Sequence, residues 1–141
     1  MTIIHRSGPA RILLAEDDRT AARLIEIALK RTGIPHHLEI VTDGDQAIAV
    51  LSKEAPDLLL LDLYMPGKNG FEVLEHIKRR DHLRRIPVVM LSSSDFAEDI
   101  NRAYDLHVNA YVKKPNDFAD LSRALNSTID FWLRTAETSR T

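Results

Sequence analysis

Apolar residues along this chain fall into two alternating patterns, short unbroken runs and longer stretches at helical spacing. Arg11 to Ala15 (RILLA) is a run rich enough in branched residues for a buried strand, and it stops at the three acids Glu16, Asp17 and Asp18. Asp18 is placed to cap a helix carrying Leu24, Ile25, Ala28 and Leu29, with Gly33 and Pro35 as its stop signals. Leu38 to Val41 reads as a second strand, and Asp43 with Gln46 forms a capping pair for a helix through Ala47, Ile48 and Leu51 that Pro56 ends. Leu58 to Leu61 is apolar at every position, as in a strand covered on both faces. The pattern then repeats: Asn69 opens a helix with Phe71, Leu74 and Ile77, and Ile86 to Leu91 makes a fourth strand. Ser94 opens a helix through Phe96, Ile100 and Tyr104, and Ala110 to Val112 makes a fifth strand. Asn116 or Asp117 starts a last helix with Phe118, Leu121, Leu125, Ile129 and Trp132 on one face.

Five strands alternating with five helices, joined by right-handed crossovers, predict an α/β fold: a doubly wound parallel sheet in the flavodoxin-like order 2-1-3-4-5. The 141 residues suit one domain, expected over residues 10–134, with an N-terminal tail at 1–9 and a C-terminal tail at 135–141. Nineteen Lys and Arg against twenty-one Asp and Glu leave a formal charge of -2, too little to hold a polyanion, so no nucleic-acid partner is expected. The absence of cysteine removes disulfides, thiolate zinc sites and thiol nucleophiles. No apolar run approaches the roughly 20 residues that cross a bilayer, and residues 1–11 lack the apolar core of a secretory signal. A cytoplasmic protein without a membrane partner is therefore expected.

Open α/β sheets place their chemistry beyond the carboxyl ends of the strands. There the first strand delivers Glu16, Asp17 and Asp18, and the third delivers Asp62. The fourth delivers Ser92 and Ser93, and the fifth delivers Lys113 and Lys114 just before Pro115. The first and third strands are neighbours in the expected order, so Asp17 and Asp62 come within a few ångströms. Clustered carboxylates repel one another and raise their own pKa values unless a cation sits among them, and oxygen-only ligands suit Mg²⁺. A carboxylate beside Mg²⁺, with an ammonium and a hydroxyl at hand, is equipped to attack a phosphoryl donor, and Asp62 is the candidate nucleophile.

The acidic pair Glu16–Asp17 after the first strand, LLLLDLYMPGKNGFEVL around Asp62, PVVMLSSS around Ser92 and AYVKKP around Lys114 stand in one order and spacing. Over roughly residues 10–130 they resemble the receiver domain of bacterial two-component response regulators. That resemblance implies that Asp62 accepts a phosphoryl group from a sensor histidine kinase. It implies that Asp17, Asp62 and the main-chain carbonyl of Tyr64 bind Mg²⁺ directly, with Glu16 acting through water. Lys114 and Ser92 would contact the phosphoryl oxygens, Ser92 and Tyr111 would form a switch pair, and the Lys114–Pro115 bond would be cis. AYDLHVNAYV and the terminal FWL resemble the single-domain regulators that partner bacterial phytochrome kinases. No DNA-binding segment follows the last helix, so output is expected by docking, by relay of the phosphoryl group or by draining it from the kinase. Ser92 stands where threonine is commoner in the family, which loosens the expected switch. The bulk of Tyr64, two residues past Asp62, is expected to obstruct an attacking water and slow self-dephosphorylation.

Plainer roles stand beside these. Asp17 and Asp18 taken alone read as helix caps, and Ser94 as a loop or cap residue. Lys113 reads as a surface lysine, because alternation sends it to the face opposite Lys114. Tyr111 is otherwise a packed edge aromatic. The histidines at 5, 36, 37, 76, 82 and 107 show no metal-ligand spacing, and Lys78, Arg79, Arg80, Arg84 and Arg85 read as a helix C-terminus with its favourable cations. Phe131 falls about 120° from the core stripe of the last helix, with Ala124 on the same side. Together with Trp132 they suggest a homodimer through that helix. The rival functions are a phosphatase resembling the haloacid dehalogenases, which would need a second Asp where Tyr64 stands, and a receiver-fold adaptor that is not phosphorylated. A flavin-phosphate binder is disfavoured by the three acids after the first strand, and no phosphate-binding GxxxxGK[ST] loop is present.

Overall fold

A computed structural model describes residues 8–137. Its elements run β1 (Ala10–Ala15), α1 (Arg19–Arg31), β2 (His36–Val41), α2 (Gly44–Leu51), β3 (Leu58–Leu61), α3 (Gly70–Lys78), β4 (Val88–Ser92), α4 (Ala97–Asp105), β5 (Ala110–Lys113) and α5 (Phe118–Ile129). The strands form one parallel sheet in the order β2-β1-β3-β4-β5, as expected. His5 and most of the two expected tails lie outside the described residues.

The unbroken apolar runs are explained by two cores, one on each sheet face. Leu13, Leu59, Leu61, Val88 and Met90 pack with Ala47, Leu51, Phe71, Leu74 and Ile77 of α2 and α3. Ile12, Leu14, Leu58, Leu60, Val89 and Leu91 pack with Ile25, Leu29, Leu121, Leu125 and Ile129 of α1 and α5. Successive strand residues therefore serve opposite faces, so Leu58 to Leu61 are all fully buried.

The caps largely follow the sequence. Asp18 accepts from the N–H groups of Thr20 and Ala21, Asp43 from Gln46, and Asp117 from Asp120. Asn69 and Glu72 form a complete capping box on α3. Four expectations are corrected. β2 begins at His36 and β4 at Val88, since Pro87 has no N–H to give the ladder. Helix α4 is capped at Phe96, not Ser94, and only Ala103 of α4 is buried, with Phe96 and Tyr104 exposed. Tyr104 uses its hydroxyl to accept the N–H of Tyr111 on the edge strand β5, which keeps the ring at the surface. The bond into Pro115 is trans, for no cis peptide occurs among the described residues, and the ordinary small preference of prolyl bonds prevails. Beyond α5 the chain continues as a wider π-type turn, Asp130–Thr135, a feature the periodicity does not announce.

The basic cluster behaves as a helix end. Lys78 reaches the Arg84 carbonyl and Asn109, Arg80 returns to the His76 carbonyl, and Arg79 and Arg84 pair with Glu75 and Asp81.

Candidate functional site

Strand register builds the site. Ala15 lies opposite Leu61 in the β1–β3 ladder, so Glu16 and Asp62, the next residue of each, leave the sheet side by side; Asp62 N–H donates to the Ala15 carbonyl at 2.9 Å. On the other flank Ser92 lies opposite Lys113, and Lys114 N–H donates to the Ser92 carbonyl at 2.7 Å. The apolar packing that fixes the ladders thus delivers five polar side chains, Glu16, Asp17, Asp62, Ser92 and Lys114, to one edge.

Ligand oxygens of Glu16, Asp17 and Asp62 lie within 4.8 Å of one another, with Glu16 and Asp62 buried and Asp17 exposed. Lys114 Nζ stands 2.5 Å from Glu16 Oε1 and 3.8 Å from Asp62 Oδ1. Glu16 also accepts the Asp18 N–H through Oε2 at 3.1 Å, and Asp62 accepts the Leu63 N–H at 2.8 Å. Burial, followed by the neighbouring Glu16 charge, pushes the Asp62 carboxyl from 3.8 up to about 7, against the opposing pull of Lys114 and the Leu63 N–H. Three acids share one ammonium, so the site carries surplus negative charge in a partly desolvated place. Its donors are all oxygens, and a hard divalent cation fits them.

Ser92 is buried, and its Oγ accepts the Ser94 N–H at 3.2 Å. Lys113 points away to pair with Asp95 at 3.1 Å, the opposite-face placement its position implies. Tyr111 is partly buried and its hydroxyl donates to the Ser94 carbonyl at 2.8 Å. Tyr64 is 57% exposed, and its hydroxyl donates to Asp99 Oδ2 at 2.7 Å. Phe131 is half exposed and meets the Trp132 ring edge-on at 5.1 Å, while Trp132 and Ala124 are partly buried.

Two contributors are not among the residues that the sequence nominates. Gly70, the first residue of α3, donates to the Leu63 carbonyl at 2.7 Å, and a Cβ there would come 2.5 Å from the Asp62 carbonyl oxygen and 2.9 Å from the Leu63 Cα. Only glycine lets α3 close so tightly on the turn that carries Asp62. Asp99 is the other, bound to Tyr64 from 35 positions away. The NG pair before a helical stretch hints at Gly70, whereas nothing local marks Asp99.

Residues 12–126 match the response regulator receiver domain family. The chain is similar to response regulator Rcp1 of Synechocystis sp., 41% identical over 134 residues, covering 90% of this chain and 91% of that protein. The crystal structure of the Mn²⁺-bound form of Rcp1 superposes with a TM-score of 0.86 at 40% identity, covering 94% of this chain and 100% of that one. The crystal structure of the phosphorylated cyanobacterial phytochrome response regulator RcpA does so with a TM-score of 0.89 at 41% identity, over 94% and 100% of the two chains.

Proposed function

The chain belongs to the family of response regulator receiver domains, and on that premise we propose that Asp62 is its phosphoacceptor and that a sensor histidine kinase is the donor. The observation that carries this reading is the convergence of Glu16, Asp17, Asp62, Ser92 and Lys114 at the carboxyl ends of four adjoining elements. In the transfer an Asp62 carboxylate oxygen bonds to phosphorus as the bond from phosphorus to the kinase imidazole nitrogen breaks, and the imidazole leaves with that electron pair. Lys114, held by Glu16, supplies a fixed positive charge toward the incoming oxygens, and the Ser92 hydroxyl supplies a donor. Asp17, Asp62 and the Tyr64 carbonyl are the proposed direct ligands of Mg²⁺, with Glu16 through water. When bound, that ion offsets the surplus carboxylate charge and the charge of the phosphoryl oxygens. Similarity to RcpA supports a phytochrome as the kinase, and the Mn²⁺ in the related Rcp1 structure supports a divalent ion.

Ser92 and Tyr111 are the proposed switch pair, both tied to Ser94. Output is by docking, with catalysis confined to the protein's own phosphorylation and dephosphorylation, and a homodimer forms through Phe131, Ala124 and Trp132. Incubation with acetyl phosphate, with and without Mg²⁺, tests the central claim by intact mass. One added phosphoryl group that needs both the metal and Asp62, and is absent in Asp62→Asn, is the expected result. Uptake that survives Asp62→Asn overturns it, and turnover of many phosphomonoesters transfers the case to a phosphatase.

A further inference from the structure

We infer that Asp99 is a positioning residue for this site: its carboxylate straps the Tyr64 side chain across the mouth beside Asp62 and so prolongs the phosphorylated state. The inference rests on Asp62 as phosphoacceptor and adds a determinant of lifetime. Tyr64 follows β3 by three residues, and Asp99 stands in the first turn of α4, which follows β4. β3 and β4 are neighbours, carrying Asp62 and Ser92 at their ends, so a bond between Tyr64 and Asp99 bridges the two rims of the opening.

The bridge is fixed at both ends. Tyr64 Oη donates to Asp99 Oδ2 at 2.7 Å, and Ser94 Oγ donates to the same oxygen at 2.6 Å. Ser94 is itself held, through its N–H on Ser92 Oγ at 3.2 Å and through its carbonyl on the Tyr111 hydroxyl at 2.8 Å. An exposed tyrosine ordinarily samples several rotamers. Here charge-assisted hydrogen bonds of the short class select one, in which the phenol lies toward α4 rather than free in solvent. The strap ends on Ser94, the residue to which both members of the proposed switch pair are bonded.

Loss of the phosphoryl group proceeds by attack of water on phosphorus. The water oxygen bonds to phosphorus, the bond from phosphorus to the Asp62 carboxylate oxygen breaks, and the carboxylate leaves with the electron pair. A proton passes to solvent as inorganic phosphate forms. Water must reach phosphorus past the rim that Tyr64 and Asp99 close, so cutting the strap speeds decay while the groups at Asp62, Ser92 and Lys114 stay in place.

The test compares decay of the phosphorylated protein, loaded with acetyl phosphate and Mg²⁺ and then freed of donor, in the unaltered chain, Tyr64→Phe, Asp99→Ala and the double variant. Tyr64→Phe keeps the ring and removes only its hydroxyl. Each single substitution is expected to speed decay by roughly three- to tenfold, the rate equivalent of one hydrogen bond, and the double variant to decay no faster than the faster single. That non-additivity is the mark of a shared strap, and a general loosening of α4 does not produce it. Decay unmoved by either substitution, or multiplied in the double variant, overturns the strap alone. No uptake in the unaltered protein overturns the phosphoacceptor reading and the strap with it.

Discussion

Asp62→Asn is expected to make the protein more stable at alkaline pH, and the size of the effect follows from the site. The fold raises the Asp62 carboxyl from 3.8 to about 7. Each tenfold change in proton affinity is about 1.36 kcal/mol, so ionised Asp62 costs the folded state on the order of 4 kcal/mol. An acid whose pKa is raised on folding ionises less readily in the folded chain than in the unfolded one. Below pH 3.8 both states hold the proton and the cost is absent. Between pH 3.8 and about 7 the unfolded chain ionises while the folded one resists, so stability falls as pH rises, and above about 7 the full cost is present. The neutral amide of Asn keeps the shape and escapes the cost. Urea unfolding with EDTA present measures it: with a slope of roughly 2 kcal/mol per molar, the variant's midpoint at pH 8.5 lies about 2 M above that of the unaltered chain, and the gap narrows toward pH 5. Mg²⁺ at about a hundred times its Kd returns roughly 2.7 kcal/mol to the chain that binds it, which closes most of the gap. A variant no more stable than its parent at pH 8.5, or a gap that widens on acidification, rules out a raised Asp62 carboxyl as a cost to the fold.

Lys114→Met leaves Glu16, only 1% exposed, without the ammonium 2.5 Å away; with Lys114 itself 17% exposed, a loss of about 2 to 3 kcal/mol is expected in urea unfolding, together with loss of phosphoryl uptake by intact mass. Gly70→Ala forces a Cβ to within 2.5 Å of the Asp62 carbonyl, so unfolding should show a loss of about 1 to 3 kcal/mol and uptake should slow even though no reacting group is altered. Phe131→Glu removes a half-exposed aromatic from the proposed dimer surface; sedimentation at tens of micromolar is expected to show the parent as a dimer and the variant as a monomer, with unfolding of the monomer shifted by less than about 0.5 kcal/mol.

The parts of this molecule legible in its sequence are those where one local pattern has one physical solution. Four consecutive leucines between Pro56 and Asp62 are too short a run for a buried helix and suit a strand covered on both faces, and the acid that follows them then lies at the strand's carboxyl end. Asp18, Asp43, Asn69 and Asp117 announce helix starts because a short acceptor side chain meets otherwise unpaired N–H groups. Helix α4 is different: Phe96, Ile100 and Tyr104 have the spacing of a buried stripe, yet Ala103 takes the core position. Spacing marks a face without saying which face the sheet will cover. The bonds of Asp99 to Tyr64 and Ser94 are equally silent in the sequence, since side chains that meet through two loops leave no period behind.

Core and site are one mechanical unit. Glu16, Asp62 and Lys114 sit together only because Ala15 faces Leu61 and Ser92 faces Lys113, and a slip of one residue in either ladder would turn the next side chain to the opposite face. Both faces of β1, β3 and β4 are buried, so such a slip would carry every leucine of β3 into a space shaped for its neighbour. The carboxylates repel one another, and the apolar strands hold them where they are. A charge cluster of this kind lowers stability and is retained by packing, which is why relief of the charge at Asp62, by proton, amide or cation, is felt by the fold as a whole.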